Sequence, residues 1–249
     1  MTLPLINIFP YPYEVWSMRK ATKNEMMKFY NENGYFTTEV KDKLTKVIDT
    51  PLEAAKHIIE VGADNGLENF IDKVLNTSQD FKVMRDSMPQ RTPKEIFDYQ
   101  KKYPHCNCVE VDQAINTHGD ILAEGQYLFH GGLWPKASER QFITTRPFST
   151  SFSPQVALRN AEWGGKAYDA NEINLFVLKA VSPRTKVFVM RIRGTNMGHE
   201  KEILFSSGAQ LTLQKKILVK KNYKVCKVIN GVNTIEKEVP AYVLEVDIS

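Results

Sequence analysis

His199-Glu200-Lys201-Glu202-Ile203-Leu204-Phe205 is the stretch on which the reading of this chain turns. Its last three residues are an apolar run of strand character, and two glutamates one residue apart stand in front of it. If the strand starts at the glutamates, Glu200 and Glu202 share one face about 6.5–7 Å apart along the strand. Like charges on one face repel, so the arrangement costs stability unless a cationic or hydroxyl-bearing ligand uses it. The same local form recurs at Glu236-Lys237-Glu238. That copy follows Asn230-Gly231 and precedes Pro240, which suits a solvated hairpin arm.

Two stretches upstream belong with the first. Tyr127-Leu128-Phe129-His130-Gly131-Gly132 is an apolar strand ending in a histidine and two glycines. A glycine after the histidine lets backbone approach a ligand closely, because no Cβ stands in the way. Pro147-Phe148-Ser149-Thr150-Ser151-Phe152-Ser153-Pro154 is a hydroxyl-rich strand running into a helix start. Alternation puts Ser149 and Ser151 on one face, with Phe148, Thr150 and Phe152 on the other. An inward polar pair needs hydrogen-bond partners, which a polar ligand or a carboxylate supplies.

Outward from these stretches, hydrophobic periodicity divides the 249 residues near position 118. Residues 23–33, 38–48, 52–61, 67–75 and 94–103 space their apolar positions at three and four, which predicts helices. Thr50-Pro51 and Thr92-Pro93 each place a capping hydroxyl before a first-turn proline. From Gly125 onward short β-rich runs replace them, at 126–129, 142–145, 174–180, 186–193, 202–205, 210–213, 224–229 and 242–247. Ser153-Pro154 opens the one helix expected in this half, over 153–163. The expectation is an α+β protein: a helical domain over 1–118, then a split, mostly antiparallel β core over 119–249.

Charge follows the same division. Residues 1–120 carry 15 Lys and Arg against 18 Asp and Glu, whereas residues 121–249 carry 18 against 11. A basic half suits an anionic ligand. Other chemistries lack their signatures: there is no G-x-G-x-x-G, no G-x-x-x-x-G-K-[ST], no H-E-x-x-H and no G-x-S-x-G. His105-Cys106-Asn107-Cys108 has no second ligand pair, since Cys226 stands alone, so no metal is expected. Three cysteines make no disulfide framework. No stretch approaches the roughly 20 apolar residues of a membrane helix. The N-terminus lacks a basic start and is broken by Pro4, Pro10 and Pro12, so it does not read as a signal peptide. A cytoplasmic protein with no membrane partner is expected.

A strand ending in Arg or His followed by Gly, then an S-T-S strand, then E-x-E resembles the ADP-ribosyltransferase family of bacterial toxins. The resemblance covers roughly residues 120–249 and extends to Ser206-Ser207-Gly208 and Ala209-Gln210-Leu211-Thr212-Leu213. It implies NAD as the substrate. His130 then anchors the adenosine ribose and helps seat the nicotinamide side, and Gly131 offers its backbone to the carboxamide. Ser149, with Thr150 and Ser151 beside it, holds the cofactor and orients the catalytic Glu202. Glu200 serves the acceptor, the loop 194–199 faces it, Arg159 contacts phosphate and Trp163 lies near the nicotinamide ring. Relatives with S-T-S and E-x-E carry arginine at the first position. The histidine here belongs to the diphtheria-toxin and poly-ADP-ribose-polymerase branch, so arginine as acceptor does not follow from E-x-E.

The implied activity is mono-ADP-ribosylation of a macromolecular acceptor, protein first and RNA or DNA second, by a toxin or effector. The alternatives are an NAD glycohydrolase and a catalytically inactive binding module of the same fold. Lys215, Lys216, Lys220, Lys221, Lys224 and Lys227 motivate the nucleic-acid option. The helical segment is a place for an antitoxin, a chaperone or the target to bind.

Overall fold

The computed structural model describes residues 1–135, 140–191 and 200–249. By the density of its contacts the chain divides into two units, Phe9–Thr50 and a larger one made of Met1–Ile8 and Pro51–Ser249. The boundary expected at 118/119 falls inside the larger unit.

The smaller unit is β1 (Tyr13–Lys20), α1 (Lys23–Asn33) and β2 (Glu39–Ile48), with β1 and β2 paired antiparallel. Helix α1 begins where the sequence places it. The Thr22 hydroxyl accepts from Glu25 N–H at 3.4 Å, and the Glu25 carboxylate accepts from Thr22 N–H at 2.9 Å, a reciprocal cap. The helix expected over 38–48 is instead strand β2. Val40, Leu44 and Val47 have helical spacing, yet Thr38, Val40, Thr45, Val47 and Ile48 are β-branched and β1 supplies the hydrogen-bond partners of a strand.

In the larger unit come α2 (Pro51–Val61), α3 (Asn65–Thr77), α4 (Gln79–Asp86), α5 (Lys94–Lys102) and α6 (Cys108–His118). Helix α5 is capped by Pro93 without a side-chain hydrogen bond, so Thr92 does not play the capping role its hydroxyl suggested. Helices α4 and α6 are not among those predicted, although Phe81 and Met84 of α4 and Val111, Ala114 and Ile115 of α6 are buried at helical spacing. Asn107 caps α6 by accepting from Val109 N–H at 3.2 Å.

A nine-stranded sheet follows: β3 (Asp120–Ile121), β4 (Tyr127–Gly132), β5 (Gln141–Ile143), β6 (Phe148–Ser151), β7 (Ile173–Ala180), β8 (Lys186–Val189), β9 (Glu202–Phe205), β10 (Gln210–Ile229) and β11 (Asn233–Ile248). Its order is β3-β8-β9-β6-β4-β7-β11-β10-β5, and only the β7–β11 pairing is parallel. Helices α7 (Pro154–Glu162) and α8 (Lys166–Ala170) stand between β6 and β7. The architecture is α+β. The two separate runs expected at 210–213 and 224–229 are one strand, β10, bulged near Leu213, Leu218 and Lys220. Its hairpin closes at Asn230-Gly231, both with positive φ (52° and 72°) as a type I′ turn requires.

Phe129, Phe152, Phe176, Phe188 and Phe205 are fully buried and form the centre of the core. The helices before the sheet are bound to it by polar side chains. Gln155 of α7 accepts from Asp64 N–H at 2.6 Å, and Asp112 of α6 accepts from both Ser207 N–H (2.7 Å) and Ser207 hydroxyl (2.6 Å). The change of periodicity at residue 118 therefore marks a change of secondary structure within one compact unit.

Candidate functional site

The site lies where β4, β6 and β9 run side by side. Strands β6 and β9 pair in antiparallel register, Ser149 with Leu204 and Ser151 with Glu202, so these four side chains share a face. The Ser149 hydroxyl donates to Glu202 Oε1 at 2.6 Å, diagonally across the two strands. Glu202 is only 5% exposed. Its other oxygen, Oε2, accepts from Gln100 Nε2 of α5 at 3.0 Å. Burial lifts the Glu202 carboxyl above the usual carboxylate range, and neighbouring Glu200 adds to the lift, while the Ser149 and Gln100 hydrogen bonds oppose it.

Strands β4 and β6 pair through one rung only, Phe129 with Ser151. Beyond it the His130 ring bridges the strands, its Nδ1 2.7 Å from the Ser149 carbonyl oxygen. A carbonyl only accepts, so Nδ1 carries the proton and Nε2 of the neutral ring is a bare acceptor. Packed against Phe148 (4.1 Å between centroids) and Phe176 (5.3 Å), the ring stays neutral. Burial pushes its pKa down to about 4, and the nearby cations Lys166 and Arg146 push the same way.

The two glycines after His130 have different causes. A Cβ on Gly131 would lie 1.7 Å from the Ala157 carbonyl oxygen, so this glycine lets α7 seat on β4. A Cβ on Gly132 would lie 2.5 Å from His130 Nε2, so this one keeps the acceptor nitrogen uncovered.

Glu200 does not continue β9, which starts at Glu202. The residue between them, Lys201, has φ +51°, a left-handed conformation that breaks the extended register expected for E-x-E. Its buried ammonium pairs with Glu68 and, at 3.0 Å, with Asp72, one turn apart on α3. Glu68 also accepts from the Ser153 hydroxyl. Burial raises the Glu200 carboxyl as well.

The remaining residues named from sequence sit elsewhere or are already engaged. Thr150 and Ser151 are buried, and their hydroxyls donate to the carbonyls of Ile203 (2.7 Å) and Glu200 (2.5 Å), which fastens the β6–β9 seam. Arg159 is exposed on α7, and Trp163 is 61% exposed with the Lys166 ammonium 5.9 Å from its ring. No hydrogen bond or ring contact joins either to His130, Ser149 or Glu202 among the described residues. The loop 194–199 lies outside the described residues. Of the basic stretch, Lys216 pairs with Glu172 (2.8 Å), Lys224 with Glu236 (2.5 Å) and Lys227 with Asp169 (2.6 Å), and Lys220 donates to the Glu60 carbonyl. All are on β10, four strands removed from β9 and β6 in sheet order or farther.

Sequence reading missed Gln100, Lys201, Arg146 and Lys166. Gln100 stands 102 positions before its partner and in no motif. Glu68 and Asp72 carried the one available signal, two acids at i, i+4 on a single helix face.

Among the described residues no group of three or more His, Cys, Asp or Glu side chains is placed to hold a metal ion, and no helix is long and apolar enough to cross a membrane. No protein-family model and no curated protein matches the chain. Several solved ADP-ribosyltransferase toxins are similar to it in structure at low sequence identity. The Vis toxin of Vibrio splendidus is 13% identical, with 93% of this chain and 88% of that one covered and a TM-score of 0.33. Plx2a of Paenibacillus larvae is 10% identical, with 62% and 78% covered and a TM-score of 0.36. The enzymatic component C2-I of the Clostridium botulinum C2 toxin is 10% identical, with 66% and 44% covered and a TM-score of 0.37.

Proposed function

We propose that the chain is a mono-ADP-ribosyltransferase of the toxin type, which cleaves the nicotinamide–ribose bond of NAD and passes ADP-ribose to a macromolecular acceptor. The observation that carries this reading is the buried Glu202 carboxylate, held by the Ser149 hydroxyl from the next strand, with the His130 ring on the backbone carbonyl of the same serine. A preorganised carboxylate in a dry site is what an oxocarbenium-like ribose requires, and its contact with the 2′-hydroxyl strengthens as positive charge develops. Nicotinamide leaves as a neutral base, so departure needs no acid. His130, neutral at ordinary pH with Nε2 bare, accepts a hydroxyl of the adenosine ribose. Glu200, whose carboxyl burial raises, takes the proton of the incoming nucleophile.

The acceptor we propose is a protein in preference to a nucleic acid, because the lysines of β10 that motivated a polyanion are largely committed to carboxylates and a carbonyl. Labelled NAD incubated with the protein and a whole-cell lysate, followed by separation of protein and RNA fractions, tests both points. Label is expected in protein, with nicotinamide released in proportion. Glu200→Gln should cut transfer by roughly 10²–10⁴ while NAD cleavage by water persists, the range for loss of a general base. Label confined to RNA overturns the acceptor assignment. Nicotinamide release without transfer to any fraction favours a glycohydrolase, and no release at all leaves only a binding module.

A further inference from the structure

Gln100 reaches Glu202 from α5, and only half of its amide is in use. Nε2 donates to Glu202 Oε2 at 3.0 Å, whereas Oε1 is buried and has no hydrogen-bond partner among the described residues. The carboxylate fixes which end is which: an ionised oxygen accepts only, so the NH₂ faces it and the carbonyl is left over. A buried carbonyl without a donor is uncommon, and a tether joining α5 to β9 would need only the donor half. The same count applied to Glu202 leaves room for a ligand, since each of its oxygens has accepted one protein hydrogen bond and retains a lone pair. Glu202 Oε2 and Gln100 Oε1 are thus two adjacent open acceptors, one charged and one neutral.

We propose that Gln100 is a substrate-contacting residue: its side-chain carbonyl receives the 3′-hydroxyl of the nicotinamide ribose while Glu202 receives the neighbouring 2′-hydroxyl. This rests on NAD being the substrate. A ribose cis-diol offers two hydroxyl donors side by side, which matches two acceptors side by side. No other part of the nicotinamide nucleotide half of NAD presents two hydroxyl donors side by side, because its carboxamide carries a single NH₂ group and its phosphate carries only acceptors. The contact also gives α5 a part in the reaction, since it brings a residue from the helical stretch into the site and holds the Glu202 oxygen that Ser149 does not.

The test compares NAD with an analogue lacking only the 3′-hydroxyl of the nicotinamide ribose, read as nicotinamide release by the full chain and by Gln100→Leu. Wild type should lose roughly 10–100-fold in kcat/KM on the analogue, the size of effect expected when a buried acceptor loses its donor. Gln100→Leu should lose a comparable factor on NAD and almost nothing further on the analogue, because the two changes remove one interaction. A purely structural role for Gln100 would lower both substrates alike and preserve the discrimination, and that result overturns the proposal. If Gln100→Leu fails to fold, wild type alone decides: equal rates on NAD and the analogue also overturn it. Wild type that cleaves neither substrate defeats the transferase reading itself, and this subsite with it.

Discussion

Glu200-Lys201-Glu202 and Glu236-Lys237-Glu238 are the same tripeptide in two settings, and what differs between them is burial and the partners the rest of the chain supplies. In the first, Lys201 and Glu202 are 4% and 5% exposed, Glu200 is half-buried, and both carboxyls are lifted by burial. In the second, a regular strand alternates, so Glu236 and Glu238 project into water and Lys237 lies back over Tyr168, 4.1 Å from its ring. Glu236 has its own surface partner, Lys224 on the paired strand. A carboxylate becomes reactive through desolvation and a fixed hydrogen-bond donor, and the tripeptide supplies neither. Both come from elsewhere in the chain: Ser149 and Gln100 hold the carboxylate, and α3 holds the lysine that bends the backbone.

Removing the charge at Glu202 should break the contrast most severely. Glu202→Gln keeps the shape and the Ser149 contact, yet should reduce nicotinamide release from NAD by roughly 10²–10³, the usual loss for one preorganised electrostatic group. Steady-state release from NAD is the measurement, and activity within about threefold of wild type would show that another carboxylate carries the reaction.

Lys201 comes next, because Lys237 is its counterpart in the hairpin. Lys201→Met leaves Glu68 and Asp72 beside a buried apolar group, and should cost about 3 kcal/mol in a urea titration, the scale for breaking a buried pair from one side. Lys237→Met, which loses an exposed contact with Asn171 and a ring contact, should cost under about 1 kcal/mol. As a positioning residue, Lys201 should also affect kcat for NAD cleavage more than KM, with Lys201→Arg recovering part of the loss.

Much of this contrast was legible in the sequence, for physical reasons that also mark where it stopped. The strand runs, the Asn230-Gly231 turn and the cap before α7 are local, and each element's own residues dictate it. The pairing of S-T-S with E-x-E was accessible as order along the chain, and the β6–β9 register turns that order into the Ser149–Glu202 hydrogen bond. Gln100 and the Glu68–Lys201 pair could not be read in the same way. They join residues more than one hundred positions apart, on helices whose periodicity reports only which face is apolar. Segment 38–48 failed for the opposite reason: its local spacing suggested a helix, and long-range pairing with β1 prevailed.

A smaller effect separates the two tripeptides by their response to pH. Glu202 titrates above the ordinary carboxylate value of 4.5 in the folded protein. Between that value and the raised one, the native state keeps a proton that the unfolded chain has released, so stability falls as pH rises through this window. Glu202→Gln removes the dependence and lets Gln100 turn its free carbonyl towards the new NH₂. The variant should therefore be more stable than wild type by about 0.5–2 kcal/mol near neutral pH. Below the ordinary value both states of the wild type are protonated, and this advantage should vanish. Glu200 remains in both proteins, so the effect of its own burial cancels, whereas its repulsion of Glu202 is part of the dependence that the substitution removes. Denaturant titrations near pH 4 and pH 8 check the sign; an advantage of equal size at both would mean that packing, and not the buried charge, separates the proteins.

The smallest effect is expected at Glu238, and it is the sharpest control on the comparison. The residue is exposed on β11 opposite Lys224, whose ammonium is already paired with Glu236, so its charge is screened by water and salt. Glu238→Gln should change stability by less than about 0.5 kcal/mol, as surface substitutions away from buried features do. NAD cleavage and transfer should both stay within about twofold of wild type, because solvent leaves nothing for the carboxylate to stabilise. The substitution at Glu202 is chemically identical, the same carboxylate to the same amide within the same tripeptide. Any difference between the two variants is therefore attributable to burial and to the donors from Ser149 and Gln100. If Glu238→Gln abolishes nicotinamide release while Glu202→Gln leaves it intact, the reactive strand is β11, and the site built on β4, β6 and β9 is wrong.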